Sequence, residues 1–218
     1  VRVLVTVTWH GHACVSLTLP SGYTIVFDPH DGGSLGLKPP NVKGDLILVS
    51  HTHFDHNAVE VVKKDKSRVL IEFAGESRLD DVYVKGLLTY HDKAQGRRRG
   101  RNYVYVVGVG GFKVAHLGDL GHIPSQEVLN ELKGVDLLMP PVGGTFTIDA
   151  GEAWEIVSQV KPVNVMPIHY WVRGLNLPLT PVDDFLKHVK GYDVARLDSN
   201  SFKLEDFKGK IIVPALPS

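Results

Sequence analysis

Short apolar runs, broken by Gly, Pro and Asp, set the hydrophobic pattern of this chain. Runs of this kind, bounded by turn residues, read as strands. They predict strands over residues 1–8, 13–19, 23–27, 45–50, 68–73, 82–90, 102–109, 112–116, 135–139 and 162–168. Short strands near 194–197, 202–204 and 210–213 close the chain. Pro20-Ser-Gly22 and Gly110-Gly111 supply the backbone angles that turns need. Helix starts are fewer. Asn57 can cap a helix over 57–64, and Ser125 one over 125–132. Asp149 and Glu152 have capping-box spacing for a helix to 160. Thr180-Pro181 places proline at the first position of a helix to 189. Residues 31–44 are rich in Gly and Pro and predict a surface loop. No low-complexity linker interrupts the chain, so residues 1–218 read as one α/β domain with two sheets and outer helices.

Against this pattern stands His51-Thr-His-Phe-Asp55-His56, three imidazoles and a carboxylate in six residues. It follows a buried strand and precedes a helix start. His51 and His53 are two apart and point to one side of extended chain, whereas Asp55 and His56 lie where the chain turns. This spacing suggests two neighbouring metal positions. Imidazole and carboxylate suit zinc, iron or manganese.

Composition narrows the classes. The 218 residues can bury a core, and the formal net charge of +0 creates no field toward nucleic acid or an anionic membrane. No apolar run approaches the roughly 20 residues of a membrane-spanning helix. No signal-peptide pattern is expected, because strand-like sequence begins at once. One cysteine, Cys14, forms no internal disulfide and fits a reducing, cytoplasmic setting. Among apolar neighbours it reads as a buried, inert thiol.

The ends of the apolar runs are informative. Asp28, His51, His91, Asp119 and His169 each fall just past one. If those strands lie side by side, their ends converge on one rim, where open sheets place ligands. Two divalent ions need about seven protein ligands plus water. The third histidine of such a set is His91 or His116. His116 lies three residues before Asp119 and on a continuing strand would face away from it. His91 ends its own strand and is favoured.

At these residues the sequence resembles the metallo-β-lactamase superfamily. More closely it resembles the small metal-dependent hydrolases that include L-ascorbate-6-phosphate lactonase-like proteins. The words that carry this are Trp9-His-Gly-His-Ala13, His51-x-His53-x-Asp55-His56, Tyr90-His-Asp92, His116-Leu-Gly-Asp-Leu-Gly-His122, Val142-Gly-Gly-Thr145 and Pro167-Ile-His-Tyr170. The resemblance implies a four-layer αββα sandwich with a two-metal site at one edge. His51, His53 and His91 would hold one ion, and Asp55, His56 and His169 the other, with Asp119 bridging. Asp28 would orient a ligand histidine. His116 would be a packed histidine or a hydrogen-bonding partner of a ligand. Two divalent ions are implied, with zinc preferred to manganese or iron.

The expected activity is a hydrolase in which a metal-bridging hydroxide attacks an ester, lactone or phosphodiester, with Asp55 and Asp119 central. His12 and His122 are candidate proton donors. His10, His30 and His188 read as surface or loop residues. The basic loop over 93–101 carries Arg97, Arg98, Arg99 and Arg101 close behind His91. Facing the site, these would bind a small phosphorylated substrate through guanidinium forks. A Gly32-Gly-Ser34-Leu-Gly36 match lies in the Gly/Pro loop and lacks a strand-to-helix elbow. Three readings compete. A nuclease is disfavoured by the neutral charge. A non-catalytic metal module is disfavoured by the complete ligand set, and a redox enzyme by the absence of room for a flavin domain. A homo-oligomer is compatible with the sequence.

Overall fold

The computed structural model describes residues 2–218. β1 (Thr6–Trp9), β2 (Val15–Thr18), β3 (Thr24–Phe27), β4 (Gly44–Val49), β5 (Lys63–Ile71) and β13 (Ser201–Lys203) form one sheet in the order β13-β1-β2-β3-β4-β5. A second sheet contains β6 (Gly75–Leu79), β7 (Val82–Tyr90), β8 (Arg101–Val109), β9 (Phe112–His116), β10 (Leu137–Met139), β11 (Asn164–Val165), β12 (Asp193–Arg196) and β14 (Lys210–Val213). Its order is β12-β14-β11-β10-β9-β8-β7-β6. Both sheets are mixed. β1-β2-β3 run antiparallel, and β3-β4-β5 run parallel. β6 to β9 form an antiparallel meander that passes into parallel pairing at β10.

The period of two along each strand divides the core. Ile25, Phe27, Leu46 and Leu48 join the main cluster, with Val104, Tyr105 and Val114 of the second sheet. Their alternates Val26, Ile47 and Val49 lie on the other face with Cys14 and Val62. Tyr105 fastens the two layers: its hydroxyl donates to the Val49 carbonyl at 2.8 Å and accepts the Phe73 N–H at 3.0 Å.

The helical layers are unequal. α2 (Gln126–Leu132) and α3 (Ala150–Val160) cover the second sheet, and α4 (Val182–Leu186) packs beside α3. Ser125 caps α2 through its side chain, and Asp149 with Glu152 closes a capping box on α3. α3 buries Ala153, Ile156, Val157 and Val160, one face at helical spacing. Among the described residues, the α-helix against the first sheet is α1 (Val59–Val62), a single turn without a side-chain cap.

The helix expected over 57–64 is therefore cut short. Three valines in four residues favour extended chain, and from Lys63 the backbone pairs in parallel with β4. The expected helix over 180–189 shrinks to α4, with Pro181 rather than Thr180 at its N-cap. The strand expected over 162–168 keeps two residues plus an isolated bridge from Ile168 to Pro141. Of the first expected strand, Val1 lies outside the described residues and β1 begins at Thr6. β6 carries no hydrophobic signal, because its Gly-Glu-Ser-Arg-Leu sequence pairs at the sheet edge with β7 alone.

Candidate metal centre

Asp28 follows β3, His51 follows β4, and His91 follows β7, while Asp119 and His169 come from loops beyond β9 and β11. These ends meet at one edge of the two facing sheets. Donor atoms lie within 4.8 Å of one another in each of two sets, His51, His53 and His91, and His12, Asp55, His56 and His169, and a third group of Asp28, His51 and His56 joins them from beneath. Asp119 sits between the first two. Its Oδ2 is 3.3 Å from His51 Nε2, 3.0 Å from His91 Nε2 and 3.0 Å from His56 Nε2. Its Oδ1 is 3.2 Å from His169 Nε2. His51 Nε2, His56 Nε2, His169 Nε2 and Asp119 Oδ1 are buried without a hydrogen-bond partner. Buried polar atoms are ordinarily paired. Several imidazole nitrogens orphaned together beside carboxylates fit a donor set for divalent metal.

Asp28 orders this set from beneath. It is fully buried at a positive φ of 45°, a conformation that non-glycine residues hold only where their surroundings demand it. Its Oδ1 accepts the Ser50 N–H at 2.7 Å, and its Oδ2 accepts the Ser50 hydroxyl at 2.6 Å and His56 Nδ1–H at 2.8 Å. Burial opposes ionisation, but His56 outweighs it and holds the carboxyl below its usual range. With its proton directed to Asp28, the Ser50 oxygen accepts Nδ1–H of His51 at 2.8 Å. Both Nδ1 atoms are thus protonated and both Nε2 atoms present lone pairs. One carboxylate thereby sets the tautomer of a histidine in each donor set. Ser50→Ala is expected to weaken metal binding about 10–100-fold, chiefly at the position His51 serves. Competition titration against a chelator reads this, and Ser50→Thr should restore it.

Asp119 has its own support. Its N–H donates to Asn102 Oδ1 at 2.9 Å, and Asn102 Nδ2 donates to Thr89 Oγ1 and the Leu117 carbonyl. Gly118 has φ +59, and a Cβ there would lie 2.5 Å from Asn102 Oδ1. Gly121 passes so close to His91 that a Cβ would meet its carbonyl carbon at 2.2 Å. Ser50 and Asn102 carry no motif of their own. Their only signal in the sequence is adjacency, to His51 and to the strand beside Asp119.

The remaining histidines separate clearly. His12 is buried on a positive-φ turn, its carbonyl accepting from Trp9 Nε1 and from the His169 N–H. Its Nε2 is 2.8 Å from Asp55 Oδ2. Burial, reinforced by the charge of His169, pushes its pKa down to about 3. His122 accepts the Tyr90 N–H at Nε2 and donates from Nδ1 to the Ile123 carbonyl, so both nitrogens are engaged by backbone. His116 donates from Nε2 to the Ala13 carbonyl, accepts the Gly118 N–H, and stacks on Phe27. It bridges the sheets and supports the Asp119 turn, and His91 rather than His116 stands beside His51 and His53. Ser34 donates its hydroxyl to Asp31.

His10 and His30 lie in loops, as expected, but they are buried and not on the surface, because their partners Ser16 and the His10 carbonyl lie on neighbouring chain segments. Burial pushes His10 down to about 4 from 6.5, with His30 adding to the effect. The fold therefore binds this proton less tightly than the unfolded chain does. The associated stability is intact above pH 6.5 and lost as pH falls toward 4. His10→Gln should remove up to about 3 kcal/mol of that acid sensitivity. Urea unfolding at neutral and mildly acidic pH compares the two proteins.

Above the donors lies a cavity of about 470 Å³ whose walls include Phe54, Arg98, Arg99, Phe146 and Leu177. Arg98 and Arg99 reach it, whereas Arg97 and Arg101 do not line it. The loop that carries them is tied to Asp92, whose carboxylate accepts the N–H groups of Ala94, Gly96, Arg98 and Arg99 at 2.7–2.9 Å. Burial opposes charge on Asp92, but these four bonds hold its carboxyl well below the usual range.

Two facing mixed sheets with a histidine-rich donor cluster at their shared edge define the class: a metal-binding α/β fold of hydrolase type. Residues 6–169 match the family model described as the beta-lactamase superfamily domain. The chain belongs to the metallo-β-lactamase superfamily and is one of its metal-dependent hydrolases. The UPF0173 metal-dependent hydrolase of Natranaerobius thermophilus is 31% identical over 219 residues, covering 89% of this chain and 94% of its own. That of Thermoplasma acidophilum is 30% identical over 187 residues, covering 75% and 82%. A crystal structure from Thermotoga maritima, whose name proposes a Zn-dependent hydrolase of the metallo-β-lactamase superfamily, is 35% identical with a TM-score of 0.77. That match covers 98% of this chain and 100% of the other. Among the described residues, no helix is long and apolar enough to cross a membrane.

Proposed function

We propose that this chain is a single-domain, binuclear zinc hydrolase that cleaves an ester, lactone or phosphodiester bond in a small anionic substrate. The observation that carries the reading is the position of Asp119, whose two oxygens lie within 3.3 Å of histidines from both donor sets. His51, His53 and His91 would hold one ion, Asp55, His56 and His169 the other, and Asp119 both. Five imidazoles against two carboxylates favour zinc over manganese, and the name of the Thermotoga relative points the same way. When bound, such ions supply Lewis acidity and lower the pKa of water.

The chain's own residues do the rest. Asp28 and Ser50 fix the tautomers of His56 and His51. His12, neutral and buried, positions Asp55 rather than donating a proton to substrate. His122 has no free nitrogen for proton transfer and belongs to the scaffold. Arg98 and Arg99 bind the anionic group through their guanidinium forks. In the overall reaction water adds across the scissile bond, its oxygen joining the acyl carbon or phosphorus and its proton leaving with the departing oxygen. The buried, unpaired Cys14 fits a reducing cytoplasm.

Elemental analysis followed by a screen of phosphodiesters, lactones and esters tests the proposal. Two equivalents of zinc and turnover in one of these classes are expected. One equivalent, or two without turnover in any class, would refute it.

A further inference from the structure

Two cavities meet at His91, Arg98, Arg99 and Phe146. The larger, over Asp119 and His169, is walled by Phe54, Phe146 and Leu177. The smaller, about 280 Å³, is polar, and its Thr145 and Thr147 hydroxyls donate to the Pro178 and Ile148 carbonyls, which leaves the arginines as its donors to an anion. Its third cation, Lys93, is paired with Glu152 at 2.9 Å. Among the described residues, Arg98 and Arg99 have no carboxylate partner within ion-pair distance, so the free positive charge of this chamber is theirs. Asp92 locks their backbone, and the Arg99 guanidinium rests 5.6 Å over the Phe146 ring. Both charges are presented from a rigid frame at the boundary between the two chambers.

Phe54 completes the picture. It stands between two metal-binding candidates, yet 58% of it is exposed. A lone exposed aromatic needs no explanation. This one shares a concave wall with Phe146 and Leu177 directly above the donor cluster, the arrangement of a binding site. An aryl or acyl group would gain by covering that wall.

We propose that the substrate is amphiphilic: an apolar aryl or acyl group next to the scissile bond lies on Phe54, Phe146 and Leu177, and an anionic group remote from that bond sits in the side chamber between Arg98 and Arg99. The proposal rests on the hydrolase reading and names its substrate class. The larger cavity, about 470 Å³, has the size of a small-molecule site.

The test uses zinc-loaded protein and four esters: phenylacetyl or acetyl in the acyl part, each with or without a phosphate on the alcohol part. The phenylacetyl phosphate-bearing ester should have the highest kcat/KM. Phe54→Ala should lower kcat/KM about 10-fold or more for phenylacetyl esters and little for acetyl esters. The Arg98→Ala/Arg99→Ala pair should raise KM for phosphate-bearing esters only. Equal loss across all four esters in either variant would overturn the proposal. So would a changed oligomeric state in Phe54→Ala with substrate discrimination intact, which would make Phe54 a subunit contact. Dissociation constants of the same compounds, read by calorimetry, report the pattern independently of turnover. Absence of turnover with the pattern intact would count against the hydrolase reading alone, and a flat pattern against this one.

Discussion

Asp119→Ala is expected to reduce bound metal to one equivalent or less and to lower activity by on the order of 10³-fold or more. The reason is connectivity. Asp119 faces His51, His91, His56 and His169 at once, so its removal takes a ligand from both positions. It also leaves those imidazoles crowded together with one fewer negative charge among them. Metal analysis and steady-state kinetics on the same preparation check this. Retention of two ions with full activity would sink the bridging role. Because Asn102 holds the Asp119 N–H whichever side chain is present, the fold should survive, and circular dichroism tests that.

The second large effect is expected at Asp92. Four backbone N–H groups converge on its carboxylate, and Asp92→Ala leaves all four without that acceptor. Each loss of a charged acceptor costs about 1.5–3 kcal/mol where water cannot substitute. In an open loop the penalty appears mainly as lost order. The Arg98 and Arg99 side chains would then sample many positions, and KM for an anionic substrate should rise about 10–100-fold while kcat falls less. Hydrogen exchange over residues 93–100 should accelerate in parallel. Unchanged exchange, or a KM that falls because a negative charge has left the chamber, would show that Asp92 does not act by holding the loop.

Much of the framework was legible because its signals are local. The apolar alternation of 82–90 and 112–116 matches β7 and β9 to the residue. Asp149 and Glu152 make both bonds of their capping box. The rim was legible through strand ends, since Asp28, His51, His91, Asp119 and His169 do come together. What escaped depends on distant partners. Ser50 and Asn102 are ordinary polar residues until Asp28 and Asp119 fold against them. His10 and His30 read as surface or loop residues because nothing local accounts for their burial. That two arginines of four reach the cavity follows from how Asp92 winds its loop, a backbone matter that spacing does not reveal. α1 failed as a longer helix because pairing with β4 overrode a weak local preference.

The donor residues are divided between the two sheets. His51, His53, Asp55 and His56 follow a strand of the first, and His91, Asp119 and His169 follow strands of the second. On the proposed assignment, neither layer alone holds a complete set for either ion. Donors far apart along the chain make the centre a product of long-range contacts, which form slowly. Metal capture should therefore come late, after the sheets have docked, and a newly made chain should bind metal as the last act of folding.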